Sequence, residues 1–206
     1  MKQIQEYIEQ EILPRYAAFD RAHKIDHAQT VIAESLSLAS HYDVDPRMVY
    51  VAAAYHDLGL CEGRELHHIA SGRIIRADQT LRQWFSAAQI EVIACAAEDH
   101  RASSDHEPRS IYGRIVAEAD RVIDPEVTLR RTVQYGLTNY PQFNTEEQYT
   151  RFCAHLQDKY AEGGYLRLWI PESKNSARLA ELRHIIANKE LLRQTFDRLL
   201  TEERNL

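Results

Sequence analysis

The spacing of apolar residues constrains the fold of this chain more than any other feature of its sequence. Apolar side chains recur every three or four residues along almost the whole length, which is the pattern of helices that bury one face. The 206 residues include only seven glycines and six prolines, fewer than a fold of many short strands and turns requires. The sequence therefore predicts an all-α fold.

Residues that favour helix starts and stops divide this pattern into segments. Pro14 is predicted to end the first helix, while Asp45 and Pro46 are predicted to begin the third as its cap and first residue. Gly59 is predicted to end that third helix. The predicted helices cover about residues 2–13, 26–41, 46–59, 65–78, 88–100, 109–123, 126–138, 145–161, 173–187 and 189–203.

Composition excludes several classes of protein. The net charge of −6 gives no excess of positive charge for nucleic acid, and no apolar run approaches the roughly 18 residues that span a bilayer. The first residues are too acidic for a signal peptide. Cys61, Cys95 and Cys153 form no C-x-x-C pair, which argues against disulfides and thiolate zinc sites. We expect a cytoplasmic protein that acts on a small molecule, without a membrane or nucleic-acid partner.

The adjacent residues His56 and Asp57 lie at the end of the most apolar helix. An ionised carboxylate in such a place is costly unless a cation or hydrogen bonds compensate it. An imidazole and a carboxylate together suit a divalent transition metal, and His27 and Asp120 offer further ligands on other helices. The alternative is a buried, hydrogen-bonded pair that holds no metal.

Three stretches resemble the metal-binding core of the HD-domain superfamily of metal-dependent phosphohydrolases. They are HKIDHAQTV, VAAAYHDLGL and VAEADRV, within about residues 23–123. The resemblance implies an HD-type helical core, and the helical pattern of the whole chain predicts a single domain over residues 1–206 with a C-terminal helical extension at about 124–206. The resemblance also implies one or two divalent ions (Mn, Fe, Co, Ni, Mg or Zn), with these metal ligands: His27, His56, Asp57 and Asp120.

Some members of that family bind a second metal through two further histidines. His68 matches their His-x3-Gly pattern, and His100 in AEDHR is the other candidate, with Asp57 bridging both ions. If one metal binds, these histidines are expected to contact phosphate or to donate a proton to the leaving group. His67 is expected at the surface.

The resemblance implies hydrolysis of a phosphomonoester or phosphodiester, nucleotides included, by a metal-activated water. Asp57, His68 and His100 are the candidate catalytic residues. Basic residues that neighbour the ligands are candidates for binding substrate. These candidates are His23, Arg64, Arg73, Arg101 and Arg121.

Two other functions remain open within the same family. One is a non-catalytic sensor that binds metal or nucleotide, and the other is an oxygen-dependent di-iron oxygenase. The complete ligand set favours an enzyme over a sensor. The residues that follow the His-Asp pair lack the ED pair that guanosine tetraphosphate hydrolases carry there, and the chain lacks the GYP tripeptide of cyclic-di-GMP hydrolases, so neither substrate is favoured. Assembly into a homodimer is also open.

Overall fold

The computed structural model describes residues 1–19, 25–104 and 106–205. This described chain is helical and contains no β-strand, which confirms the predicted all-α class with additional C-terminal helices. Helices α1 to α10 are Lys2–Tyr7, Ile25–Ala39, Pro46–Tyr55, His67–Ala77, Ala87–Glu98, Ile111–Asp120, Pro125–Asn139, Thr145–Lys159, Asn175–Ala187 and Lys189–Arg204. Shorter π- or 3-10-helical segments are Ile8–Ile12, Leu13–Ala18, Leu58–Glu62 and Thr80–Gln83.

Helix boundaries follow the predicted caps in one case and depart from them in another. The Asp45 side chain accepts a hydrogen bond from the Arg47 N–H at 2.9 Å, with Pro46 as the first residue of α3, as predicted. The first helix, predicted over about residues 2–13 with Pro14 as its stop, is α-helical to Tyr7 and continues as the π-helical segment Ile8–Ile12. Pro14 lies in the first turn of the 3-10 segment that follows, where its missing N–H costs no hydrogen bond.

The described chain divides into two compact units. The first comprises Met1–Arg121 and Trp169–Ser173, and the second comprises Val122–Leu168 and Lys174–Leu206. The division after Arg121 is close to the border predicted between the metal-binding core and the C-terminal extension. That the whole chain forms a single domain stays a prediction. None of the helices in these described residues is long and apolar enough to cross a membrane.

Helix α3 forms the centre of the first unit. It contacts α2, α5 and α6, and residues Met48–Tyr55 are all buried. A helix that is apolar on every side requires such surroundings, and Ala52 to Ala54 let the neighbouring helices approach closely. The polar residues that follow Tyr55 are therefore held inside the core.

The segment Trp169–Ser173 is fixed to the first unit through Glu118 of α6. The Glu118 side chain is fully buried. It accepts a hydrogen bond from the Trp169 N–H at 2.6 Å and another from the Ser173 hydroxyl. These bonds compensate a buried carboxylate and fasten the segment two residues before the end of α6.

The second unit is built from α7 to α10. Helix α7 contacts α8, α9 and α10, and the buried rings of Phe152 and Phe196 lie 5.1 Å apart. On its surface, Arg130 of α7 pairs with Glu202 and Glu203 of α10 at 2.6 and 2.8 Å. Apolar packing between α8 and α10 therefore holds this unit together, with ion pairs at its edge.

Gly59 allows the segment Leu58–Glu62 to pack against the start of α4. A Cβ atom at position 59 would lie 1.9 Å from the His67 carbonyl oxygen and 2.6 Å from the Ser71 nitrogen. The Gly59 N–H donates to the Ser71 hydroxyl at 2.9 Å. The prediction that Gly59 ends α3 was wrong, because α3 ends at Tyr55 and the glycine instead permits this close approach.

We expect Gly59→Ala to lower the free energy of unfolding by about 2 kcal/mol, because α4 must move to admit the methyl group. Urea denaturation followed by circular dichroism measures the change. The exposed Cys61, in the same segment, provides the control: Cys61→Ala should alter stability by less than about 0.5 kcal/mol. Equal stability of the two variants would contradict the close packing.

Candidate metal centre

In the described chain, histidine and aspartate side chains from five helices meet within the first unit. The carboxylate of Asp57 lies at their centre and its side chain is only 4% exposed. Each helix contributes a residue at or near one of its ends, where the backbone turns away and a side chain can point along the helix axis. His27 belongs to α2, His56 and Asp57 follow α3, His67 begins α4, His100 follows α5, and Asp120 ends α6.

The first half-site, as we call it, consists of His27, His56, Asp57 and Asp120. The Asp57 Oδ2 atom lies 3.3 Å from His56 Nε2 and 3.7 Å from His27 Nε2. The Asp120 Oδ1 atom lies 3.1 Å from His27 Nε2 and 3.6 Å from His56 Nε2. The structure thus brings together the four residues that the resemblance implied as ligands.

The second half-site consists of Asp57, His67 and His100. The Asp57 Oδ1 atom lies 3.4 Å from the Nε2 atom of each of these histidines. The two Nε2 atoms are 3.1 Å apart. Asp57 therefore directs one carboxylate oxygen to each half-site.

Backbone carbonyl groups orient three of the four histidine rings. In each case the ring Nδ1 atom lies within hydrogen-bond distance of the carbonyl oxygen three residues earlier. Because a carbonyl oxygen only accepts, Nδ1 carries a proton, which leaves Nε2 as the nitrogen that can bind a cation when the ring is neutral. The pairs are His56 with Ala53 at 2.7 Å, His67 with Arg64 at 2.8 Å, and His100 with Ala97 at 2.5 Å.

These donors fit a divalent metal. At the second half-site two imidazole lone pairs face one another at 3.1 Å, an arrangement that repels unless a cation or a proton lies between them. Two nitrogen ligands of one tetrahedral ion at about 2.1 Å are separated by about 3.4 Å. At the first half-site, His27 Nε2 and His56 Nε2 are 3.3 Å apart. Both half-sites have the spacing that a transition metal requires.

The carboxylates of the centre remain ionised in spite of their burial. Burial acts to raise the pKa of Asp57, but His56 and His100 outweigh it and hold that pKa far below its usual value. Burial likewise opposes the charge of Asp120, whose pKa His27 and His56 nevertheless keep well below the ordinary range. Both groups are therefore charged and able to bind a cation at neutral pH.

Tyr16 supports the backbone at the centre. Its hydroxyl donates to the Ala54 carbonyl oxygen at 2.9 Å and accepts from the Asp57 N–H at 3.4 Å. Burial, and then the negative charge of Asp57, raise the pKa of Tyr16 well above its ordinary value. The phenol thus stays protonated and fixes the turn between α3 and Asp57.

At the second half-site, the structure corrects the sequence prediction by one residue. His67, expected at the surface, has a side chain only 13% exposed and faces Asp57, whereas His68 is not among the residues grouped there. Consecutive helical residues point about 100° apart, so one of the two faces inward. His67 lies on the same stripe as the fully buried Ser71 and Ile75, each four residues further along α4. This spacing of four residues is the sequence pattern that could have identified His67 as the inward-facing histidine.

His68 lies beside the second half-site without facing Asp57. Its ring centroid is 5.6 Å from that of His67, and its Nδ1 atom is buried without a hydrogen-bond partner in the described chain. Burial and the charge of Arg101 lower the pKa of His68 to about 4. The ring is therefore neutral near pH 7.

The predicted substrate-binding residues occupy different surroundings. Arg73 pairs with the Glu62 carboxylate and is largely exposed. Arg121 is buried, and its guanidinium donates to a carbonyl oxygen of α6. Arg101 donates to the Glu65 carbonyl oxygen at 2.6 Å. The Arg64 carbonyl holds His67, as described above, and His23 lies outside the described residues.

Next to His100, two partly exposed arginines pair with two buried carboxylates in an ion network that the sequence did not reveal. Asp99 accepts hydrogen bonds from the Arg109 backbone N–H at 2.7 Å and from Arg109 Nε at 2.9 Å. Arg109 also contacts Glu98 at 2.7 Å, and Arg76 of α4 contacts the other oxygen of Glu98. The network joins α4 to α5, the two helices that carry the histidines of the second half-site.

Comparison with known proteins agrees with this fold and centre. Residues 25–123 match the HD domain family. The crystal structure of a predicted HD superfamily hydrolase from an uncultured Thermotogales bacterium is 21% identical, covers 74% of this chain and 82% of its own, and gives a TM-score of 0.51. Among curated proteins, none matches.

Together these findings define an all-α protein whose helix ends carry a metal-binding set of histidines and aspartates. Residues 25–123 of this chain belong to the HD domain family. The matched residues begin at the first residue of α2 and end just after Asp120, so they contain every side chain of the two half-sites. At 21% identity, the likeness to the solved structure shows the fold alone.

We expect Arg109→Met to lower the free energy of unfolding at pH 7 by about 2 kcal/mol, because Asp99 and Glu98 lose a charged donor. Arg114→Met is the matched control: both arginine side chains are 45% exposed, but Arg114 pairs with Glu107 at the surface. The control should change stability by less than about 0.5 kcal/mol. Urea denaturation measures both.

The loss of stability caused by Arg109→Met should depend on pH. Burial opposes the charge of Glu98, but Arg76 and Arg109 hold its pKa below the ordinary value. The stabilisation is therefore complete above the unfolded pKa, near about 4.3, and is lost as pH falls towards the lower folded pKa. We expect the stability difference between wild type and Arg109→Met to be smaller at pH 4 than at pH 7. A difference that grows on acidification would contradict this origin.

Proposed function

We propose that this protein is a metal-dependent phosphohydrolase that cleaves a phosphomonoester or phosphodiester of a small molecule. The observation that carries the proposal is the position of Asp57, whose two carboxylate oxygens each face a pair of histidine Nε2 atoms. The similar Thermotogales protein is described as a hydrolase, which supports the same class of reaction.

Each half-site would hold one divalent ion, with Asp57 shared between them. When bound, the ions would lower the pKa of water and neutralise the oxygens of a phosphoryl group. The second half-site offers two imidazoles and one carboxylate oxygen, a set that suits Mn, Fe, Co, Ni or Zn better than Mg, which prefers oxygen ligands. We therefore propose transition metals as the cofactors.

The exposure of the ligands indicates the side from which a substrate approaches. The side chains of His56 and His100 are 0% and 3% exposed, whereas those of His27, Asp120 and His67 are 19%, 24% and 13% exposed. Substrate is expected to reach the centre between these three partly exposed residues. The buried pair, together with Asp57, forms the floor.

An oxygen-dependent di-iron oxygenase is the second candidate function. The observation that favours it is the donor set, because four imidazoles and two carboxylates around one shared aspartate also suit two iron ions. Oxygen consumption by iron-loaded protein, without release of phosphate from any ester, would support this alternative over hydrolysis.

Metal content distinguishes the roles of the two neighbouring histidines. After incubation with Mn and desalting, we expect two ions per wild-type chain by elemental analysis. His67→Ala should retain one ion, His68→Ala should retain two, and Asp57→Ala should lose both because it removes the shared ligand. The exposed carboxylate Asp43 provides the control, and Asp43→Ala should bind as wild type does. Retention of both ions by His67→Ala would contradict the second half-site.

Activity is tested by phosphate release from a panel of nucleotides and simple phosphate esters with added Mn. We expect Asp57→Ala to lower the rate at least about a thousandfold while its circular dichroism stays helical, because the reaction loses its cations. Turnover by Asp57→Ala at the wild-type rate would show the proposed function to be wrong. Stoichiometric metal in the wild type without hydrolysis of any ester would favour a sensor.

A further inference from the structure

The arginines around the centre differ in how their charge is compensated. Arg73 has a carboxylate partner, Glu62, and Arg121 is buried against the carbonyl end of α6, whose dipole favours a positive charge. Arg101 is only partly buried and donates to a neutral carbonyl oxygen, that of Glu65. Among the described residues, no carboxylate forms an ion pair with it.

The position of Arg101 places its guanidinium near the second half-site. It follows His100 directly, and its side chain is bonded to the backbone at Glu65, two residues before His67. The neighbouring carbonyl, that of Arg64, holds the His67 ring at 2.8 Å. The same short segment therefore anchors both the ring of His67 and the guanidinium of Arg101.

His68 lies next to His67 at this edge, with the two ring centroids 5.6 Å apart. The His68 Nδ1 atom is buried and has no hydrogen-bond partner in the described chain. In the described part of the chain, the edge of the second half-site thus combines a cation that has no carboxylate partner with a ring nitrogen that has no hydrogen-bond partner.

A guanidinium group has five N–H donors in a planar fork, and the bond to Glu65 uses one of them. The remaining donors match the oxygens of a tetrahedral anion, which they can bind in pairs. Because the Glu65 carbonyl oxygen is neutral, it does not cancel the positive charge of Arg101. An anion that binds to Arg101 is therefore attracted by the whole of that charge.

We propose that Arg101 binds a phosphate group of the substrate at the second half-site, with His68 beside it, and that Arg73 and Arg121 take no part. This inference rests on the proposed phosphohydrolase function and adds to it the residue that recognises the phosphate. It makes the open edge of the second half-site, next to the start of α4, the place where the phosphate enters.

The test is calorimetric titration of inorganic phosphate into Mn-loaded protein, with metal content measured on the same samples. We expect Arg101→Gln to weaken phosphate binding about ten- to a hundredfold with no loss of metal. Arg101→Lys should recover part of the affinity, because it keeps the charge but not the fork. Arg73→Gln, on the neighbouring helix, should bind phosphate within about twofold of wild type.

The outcomes separate this inference from the function on which it rests. Unchanged phosphate affinity in Arg101→Gln, in a protein that still hydrolyses esters, would overturn the role of Arg101 and leave the function standing. Loss of metal along with loss of phosphate binding would also overturn it, because Arg101 would then act through His100. A metal-loaded wild type that binds no phosphate would contradict both the proposed function and the role of Arg101.

Discussion

The structure of the first unit depends on the compensation of one buried negative charge, that of Asp57. An ionised carboxylate inside a helical core costs several kcal/mol unless charges or hydrogen bonds surround it. Here histidines from α2, α3, α4 and α5 bring their Nε2 atoms to its two oxygens. The helices of this unit are therefore arranged so that their polar ends meet where their apolar faces pack.

Because α3 is buried, Asp57 needs the histidines that surround it, and their rings can adopt few other orientations. Because Met48–Tyr55 is buried on every side, His56 and Asp57, which follow it directly, are almost fully buried as well. The backbone then limits how the rings can turn, since carbonyl groups hold the Nδ1 atoms of His56, His67 and His100. With their lone pairs already directed inward, the rings lose little freedom when a cation binds.

The sequence predicted the helices and the residues of the first half-site because both leave a local pattern. Apolar periodicity marks α2 to α10 to within a few residues, and a polar pair after an apolar helix is unusual wherever it occurs. The choice between His67 and His68 was wrong because it followed a spacing pattern to Gly72, whereas the inward direction follows the stripe from His67 to Ser71. The close approach of Gly59 to His67, which fixes that direction, is a tertiary contact. The partners that distinguish Arg73 from Arg101 are likewise invisible until the chain is folded.

The two half-sites share Asp57 but are built on different helices. The first takes ligands from α2 and α6 as well as Asp57 and His56, and the second takes them from α4 and α5, which the ion network of Arg76, Glu98 and Arg109 joins. The first has two carboxylates and the second has one, so a divalent ion is attracted more strongly to the first. If each half-site holds an ion, as proposed, the ion at the second half-site would be the more weakly held, and that half-site is the one beside Arg101. An anion that binds there compensates a positive charge that Asp57 alone only partly balances, so phosphate and the second ion should favour each other's binding.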